Sequence, residues 1–153
     1  LEIGQLRYVA PSGDACPFLE PAEIAALQVR RGSLTDVERI EIESHVVHTF
    51  NFLNKIPWGR SLRKIPRIAG AHHEYLNGNG YPRGLGTPEI PIESRMMTIA
   101  DIFDALTASD RPYKRAVPID RALSIVDSEV KAGKLDAALF DVFVKGEVYK
   151  AAL

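Results

Sequence analysis

Two adjacent histidines and a glutamate, His72-His73-Glu74, run into a glycine-rich stretch, Asn77-Gly78-Asn79-Gly80-Tyr81-Pro82, and two aspartates, Asp101 and Asp104, follow three apart. Imidazole and carboxylate are metal ligands, and glycine lets the backbone approach a bound group closely. Such a density of these types within about forty residues exceeds what core packing needs. The chemistry they support is metal-assisted attack on a phosphate ester, with Arg111 and Lys114 as nearby cations.

Neighbouring helical positions point about 100° apart, so His72 and His73 reach one metal cluster only near a helix end, where the backbone can turn. The competing reading is a surface histidine pair. Asp101 and Asp104 differ by about 60° in projection and can face one cavity. Burying acids among Ile99, Ile102 and Phe103 is costly unless they are paired or bound to metal, which makes Asp101 a ligand candidate. Asp104 suits a supporting role, orienting a ligand or capping a turn. Glu74 can ligate directly or hold a histidine N–H. His45 lies farther upstream, and a lone helix histidine is more often a satisfied surface or core residue than a ligand.

The elements that must position these groups are helical. Thr35-x-x-Glu38 forms a capping box, and a long helix is expected to about Asn54, with Val37, Ile40, Val47, Phe50 and Leu53 as its apolar stripe and Ile42 and Val46 widening it. Residues 62–73 fit a second helix carrying Ile65, Ile68, Ala69 and His72 on one side. Residues 77–91 hold four glycines and three prolines, which excludes regular structure and marks a loop, either ordered and functional or floppy.

Helices are expected from Glu93 to about Ala108, from Pro118 to a stop at Gly133, and from about Asp136 to Tyr149. Glu20 to about Arg30 suits a short helix, and residues 1–20 a turn-rich segment with at most a small hairpin. The fold class is all-α, a bundle of about five to seven helices with the loop at 77–91.

A chain of 153 residues buries roughly 70 % of its unfolded surface and needs no disulfide. The lone cysteine, Cys16, forms no internal bridge, and no Cys spacing suggests a metal site, so a reducing cytoplasm fits. A net charge of −1 gives no global pull toward a nucleic-acid polymer or an anionic membrane. No apolar run approaches the ~18 residues of a membrane span, and the start lacks a signal-peptide pattern. The Leu1 start suggests part of a longer protein.

His72-His73-Glu74-Tyr75-Leu76-Asn77-Gly78-Asn79-Gly80-Tyr81-Pro82-Arg83-Gly84-Leu85, then Asp101-Ile102-Phe103-Asp104-Ala105-Leu106-Thr107, then Arg111-Pro112-Tyr113-Lys114 resembles, in order and spacing, the signature of the HD-GYP family of bacterial signalling phosphohydrolases. The resemblance spans about residues 33–127; it suggests an HD-GYP-like domain over 33–153 and leaves 1–32 unplaced. It implies hydrolysis of cyclic di-GMP with divalent metal (Fe, Mn, Zn or Ni), His45, His72, His73 and Asp101 as ligands, and Arg111 and Lys114 on the substrate phosphates. The loop from Asn77 through Gly78, Gly80 and Tyr81 to Pro82 would edge the site or meet a signalling partner. Asn77 replaces the family's usual Asp, and His48 falls where the family has glycine.

No histidine here is followed by aspartate, so the family's name-giving His-Asp dyad is missing from the chain. In the family that Asp bridges two metals and helps generate the nucleophile. Either an upstream segment carries the dyad, or the chain is a degenerate member that binds rather than cleaves. By itself the chain is expected to be inactive or weakly active. A phosphohydrolase acting on another nucleotide is the remaining alternative.

Overall fold

A computed structural model describes residues 2–29, 32, 34–108 and 116–152. The chain divides into two compact units, Leu1–Ile42 and Glu43–Leu153.

In the first unit a 3₁₀ turn, Glu2–Gln5, leads into β1 (Arg7–Val9), which pairs antiparallel with β2 (Ala15–Pro17) so that Tyr8 faces Cys16. The small hairpin allowed by the prolines and glycine of this segment is present. Gly13 takes φ +90° at the turn, a conformation that side chains with a Cβ disfavour. Helix α1 (Pro21–Leu27) follows, and the Glu20 N–H donates to Glu23 Oε2 at 2.7 Å.

Helix α2 (Asp36–Leu53) starts on the expected capping box: Thr35 Oγ1 accepts the Glu38 N–H at 3.3 Å, and Glu38 Oε2 accepts the Thr35 N–H at 2.7 Å. The apolar stripe read along this helix does not form one buried face. Val46 alone is buried, whereas Val37 is 75 % and Ile40 68 % exposed. Steps of about 100° spread these apolar positions around the axis, so no single face collects them.

The second unit is built around α4 (Ile92–Thr107), which packs against α3 (Ile65–Ala69), α5 (Ile119–Lys131), α6 (Ala137–Lys145) and a 3₁₀ segment, Val148–Ala152. Ile99, Val126, Leu135 and Phe140 form its core, with Tyr75, Leu106 and Phe143 packed against it. The Phe103 ring meets Phe143 at 5.4 Å and Tyr149 at 5.8 Å between centroids, an edge-to-face and tilted cluster.

Chain stops follow local chemistry. Beyond α5, Gly133 (φ +72°) donates to Val130 O and Lys134 N–H to Glu129 O, the paired bonds that close a helix over a left-handed residue. Asp136 Oδ1 accepts from Ala138 and Leu139 N–H to start α6.

Two expected helices are shorter in the structure. The one over 62–73 is only α3, with turns on both sides, because Gly70 seals its end under Phe50: a Cβ there would lie 2.8 Å from Phe50 Cδ2. The last one ends at Lys145, where Gly146 and Glu147 (φ +49°) break it before the 3₁₀ segment. Among the described residues six α-helices and one two-stranded hairpin occur, which bears out the all-α class.

Candidate metal centre

The early end of α3 brings the histidine pair together. Residues 71–73 are turn rather than helix, so neighbouring imidazoles need not diverge. Ring centroids of His72 and His73 are 4.0 Å apart, and His45, from the middle of α2, comes within 5.1 Å of His73 and 5.9 Å of His72. Each offers a ring nitrogen, and these atoms lie within 4.8 Å of one another. Among the described residues this is the only group of three or more such side chains in that arrangement.

His72 Nδ1 lies 2.6 Å from Ala69 O. A carbonyl oxygen only accepts, so Nδ1 carries the proton and Nε2 keeps its lone pair for a ligand. The turn itself is held from α4: Ser94 Oγ donates to Ile68 O at 2.8 Å and Thr98 Oγ1 to His72 O at 2.7 Å. Both hydroxyls are buried on one face of α4, a role that sequence reading missed. A pair of small hydroxyl residues at i, i+4 within an apolar helix was the available signal.

His73 is partly buried, and burial, with His72 beside it, lowers its pKa from 6.5 to about 4 against the pull of Asp101; it is neutral at pH 7. Asp101 Oδ2 stands 3.9 Å from His73 Nδ1. The expectation of costly buried acids on α4 is corrected, since Asp101 and Asp104 are both exposed and need no partner to offset desolvation. Asp101 approaches His73, and Asp104 does not belong to the histidine group.

Glu74 is buried to 2 % exposure, and its carboxylate is used by the loop: Oε1 accepts the Arg83 N–H and Oε2 the Leu85 N–H, each at 2.8 Å. The loop is therefore an ordered one, closed further by a bridge between Asn77 and Gly86. Asn77 Oδ1 accepts the Asn79 N–H at 3.1 Å, so the amide that stands in place of Asp caps the loop. Gly80 lies so close to the 73–75 turn that a Cβ would meet Glu74 Cα and His73 O at 2.5 Å. The close approach that glycine allows is thus to the chain's own backbone. Gly78 takes φ +78°, and the Tyr81–Pro82 bond is cis. The Tyr81 ring stacks on His73 at 4.7 Å and 30°, and its hydroxyl is pushed up to about 12 by burial, with Glu43, Tyr75 and Asp101 adding to the shift.

Arg111 and Lys114 lie outside the described residues. His48 is exposed on α2 and is not in the histidine group. An apolar cleft of about 320 Å³, lined among others by Met96, Met97, Phe143 and Val148, shares no residue with that group. Three imidazoles with a carboxylate beside them suit a divalent first-row metal, so the residues present fit such an ion.

Comparison with known families matches residues 18–139 to the HD domain. The chain belongs to the HD domain family. The HD-domain match extends beyond the signature words at both ends, and those words are those of its HD-GYP members. Over 105 residues, 69 % of this chain and 22 % of the relative, it is 42 % identical to the 3′3′-cGAMP-specific phosphodiesterase 3 of Vibrio cholerae. Over 146 residues, 95 % of the chain, it is 33 % identical to the cyclic di-GMP phosphodiesterase of Thermotoga maritima, covering 38 % of that protein. A cyclic di-GMP phosphodiesterase response regulator of Xanthomonas campestris is also 33 % identical over 146 residues, 95 % of the chain and 37 % of that protein. This HD domain chain spans well under half the length of these relatives. None of its described helices is long and apolar enough to cross a membrane.

Proposed function

We propose that this HD domain chain carries part of the metal centre of a cyclic dinucleotide phosphodiesterase, with cyclic di-GMP as substrate and a cytoplasmic site of action. The observation that carries the reading is the convergence of His45, His72 and His73 to within 4.8 Å of one another in a family whose named relatives cleave cyclic dinucleotides. A bound divalent cation would supply charge against the phosphoryl oxygens and activate water.

The chain's own residues do the rest. His72 presents Nε2 because Ala69 holds Nδ1–H. His73 stays neutral at pH 7, its lone pair not lost to a proton. Asp101 adds negative charge 3.9 Å from that ring and is the fourth proposed ligand. Arg111 and Lys114 would hold the substrate phosphates, Arg by a two-pronged grip and Lys as a point charge. Glu74 shapes the loop instead of ligating, and Asp104 has a supporting place at most. The loop from Asn77 to Pro82 edges the site and offers a surface for a signalling partner.

Purified whole protein loaded with Mn²⁺ or Fe²⁺ should convert cyclic di-GMP to linear dinucleotide or GMP, resolved by chromatography, and His72→Ala should abolish this. No turnover after loading, across cyclic dinucleotides, would remove the enzymatic reading. A second substrate, 3′3′-cGAMP, is favoured by three Vibrio cholerae relatives specific for it, 42 %, 39 % and 40 % identical; competition between the two substrates decides. That no histidine of this sequence is directly followed by aspartate favours a third reading, a binding module without turnover. Nucleotide binding that survives chelation of all metal would support it.

A further inference from the structure

We propose that Tyr81 is a positioning residue for the His73 imidazole and that Glu74 holds Tyr81 in place, so that the glycine loop sets the orientation of one metal-facing ring. The inference rests on the reading of the three histidines as metal ligands.

His72 and His73 are held by different means. A histidine ring turns about a broad, roughly two-fold torsion, so something beyond its own rotamer must fix it. For His72 that is the 2.6 Å contact with Ala69 O. For His73 the nearest carboxylate, Asp101, stands at 3.9 Å, beyond hydrogen-bond reach. What stacks on the His73 ring is Tyr81, with centroids 4.7 Å apart and planes inclined at 30°; His72, at 4.0 Å, and His45 are its other ring neighbours. Stacking thus does for one histidine what a carbonyl does for the other.

Tyr81 is in turn held on a rigid frame. Its own N–H donates to His73 O at 3.1 Å, so ring and backbone both register on the residue they position. That bond forms because Gly80, without a Cβ, lies against the backbone of Glu74 and Tyr75. On the far side of Tyr81 the loop is clamped by Glu74, whose side chain has no exposure and takes the Arg83 and Leu85 amides at 2.8 Å each. Bonds to an ionised acceptor are the stronger kind, and Arg83 Nε adds charge at 3.9 Å. Arg83 also donates to Gly70 O at 3.3 Å, the residue that ends α3. The frame therefore closes on the turn that carries the histidines. By reciprocity, a metal held at His73 steadies the loop, and a partner that displaced Tyr81 would weaken the metal.

The test uses the full chain with Co²⁺ as probe, read by visible absorption during chelator competition, and histidine ring ¹⁵N–¹H spectra of the metal-free protein. Tyr81→Leu should weaken Co²⁺ about tenfold, the size seen when a group orienting a ligand is lost. It should also broaden or split the His73 ring signals while leaving His72 unchanged. Tyr81→Phe, which keeps the stack and drops the hydroxyl, should stay within about twofold of the parent. Glu74→Gln should give part of the Tyr81→Leu loss with the same His73 signature. Unchanged Co²⁺ affinity and sharp His73 signals in Tyr81→Leu would overturn the proposal, as would equal losses in the Leu and Phe variants. Failure of the parent chain to bind Co²⁺ would instead remove the metal reading, a separate outcome.

Discussion

His72 Nδ1 and the carbonyl oxygen of Ala69, three residues back, are 2.6 Å apart, and this contact fixes which nitrogen of the ring faces the metal centre. Ring ¹⁵N shifts of His72 in the metal-free protein should report a protonated Nδ1 and a bare Nε2. Titration with Zn²⁺ should then move Nε2 and leave Nδ1 bonded to Ala69. A ring found in the opposite tautomer would contradict the assignment.

Acid should loosen this protein through His73. An unfolded chain takes up that proton near pH 6.5, whereas the folded protein does so near 4. The unfolded state therefore binds more protons between those values, so stability is whole above about 6.5 and declines as pH falls toward about 4. Urea midpoints at about pH 7 and about pH 5 should differ in that sense, and His73→Gln should reduce the difference.

Two loop glycines should respond very unequally to the same change. At Gly80 a Cβ would sit 2.3 Å from Tyr75 N, against backbone that cannot yield cheaply. Gly80→Ala should cost about 3 kcal/mol, the upper end for forced overpacking, and weaken Co²⁺ binding with it. At Gly86 the nearest atom, Pro88 Cδ, is 4.0 Å away, so Gly86→Ala should change stability by less than about 1 kcal/mol. Chemical denaturation of both variants measures the contrast.

Asp136 serves two partners at once, the first amides of α6 and the Arg95 guanidinium at 3.2 Å. Arg95 also reaches the carbonyls of Thr87 and Ile90, which tie the end of the loop to α4. Asp136→Ala should lose about 2 kcal/mol or more, because both the cap and a mostly buried charge partner vanish. Asp136→Asn keeps a capping oxygen and should lose less. Equal unfolding midpoints for the two variants would exclude the double role.

The helices were legible where a pattern repeats or a cap is spelled out: Thr35 with Glu38, Gly133 beyond α5, Asp136 before α6. Boundaries set by tertiary contact were not, as at Gly70, whose stop depends on Phe50 from another helix. Only the family resemblance put His45 with His72 and His73, since nothing local to His45 marks it as a neighbour of the pair. What Glu74 does was hidden, because whether a carboxylate meets a metal or two amides depends on where a loop folds back. The exposure of Asp101 escaped for a similar reason: its apolar sequence neighbours point elsewhere on the helix.

Ser94, Thr98 and Asp101 follow one another along a single face of α4, the first two gripping the turn that carries the histidines and the third facing His73. A helix rises about 1.5 Å per residue, so this face acts as a ruler about 10 Å long. Spacing between the histidine turn and the aspartate is thus measured off a rod. A single residue inserted between Thr98 and Asp101 would swing that carboxylate by about 100°, while the hydroxyls kept their hold. Such a ruler tolerates exchange of almost any outward side chain but no change in its count, which makes α4 the natural unit to transplant with the centre.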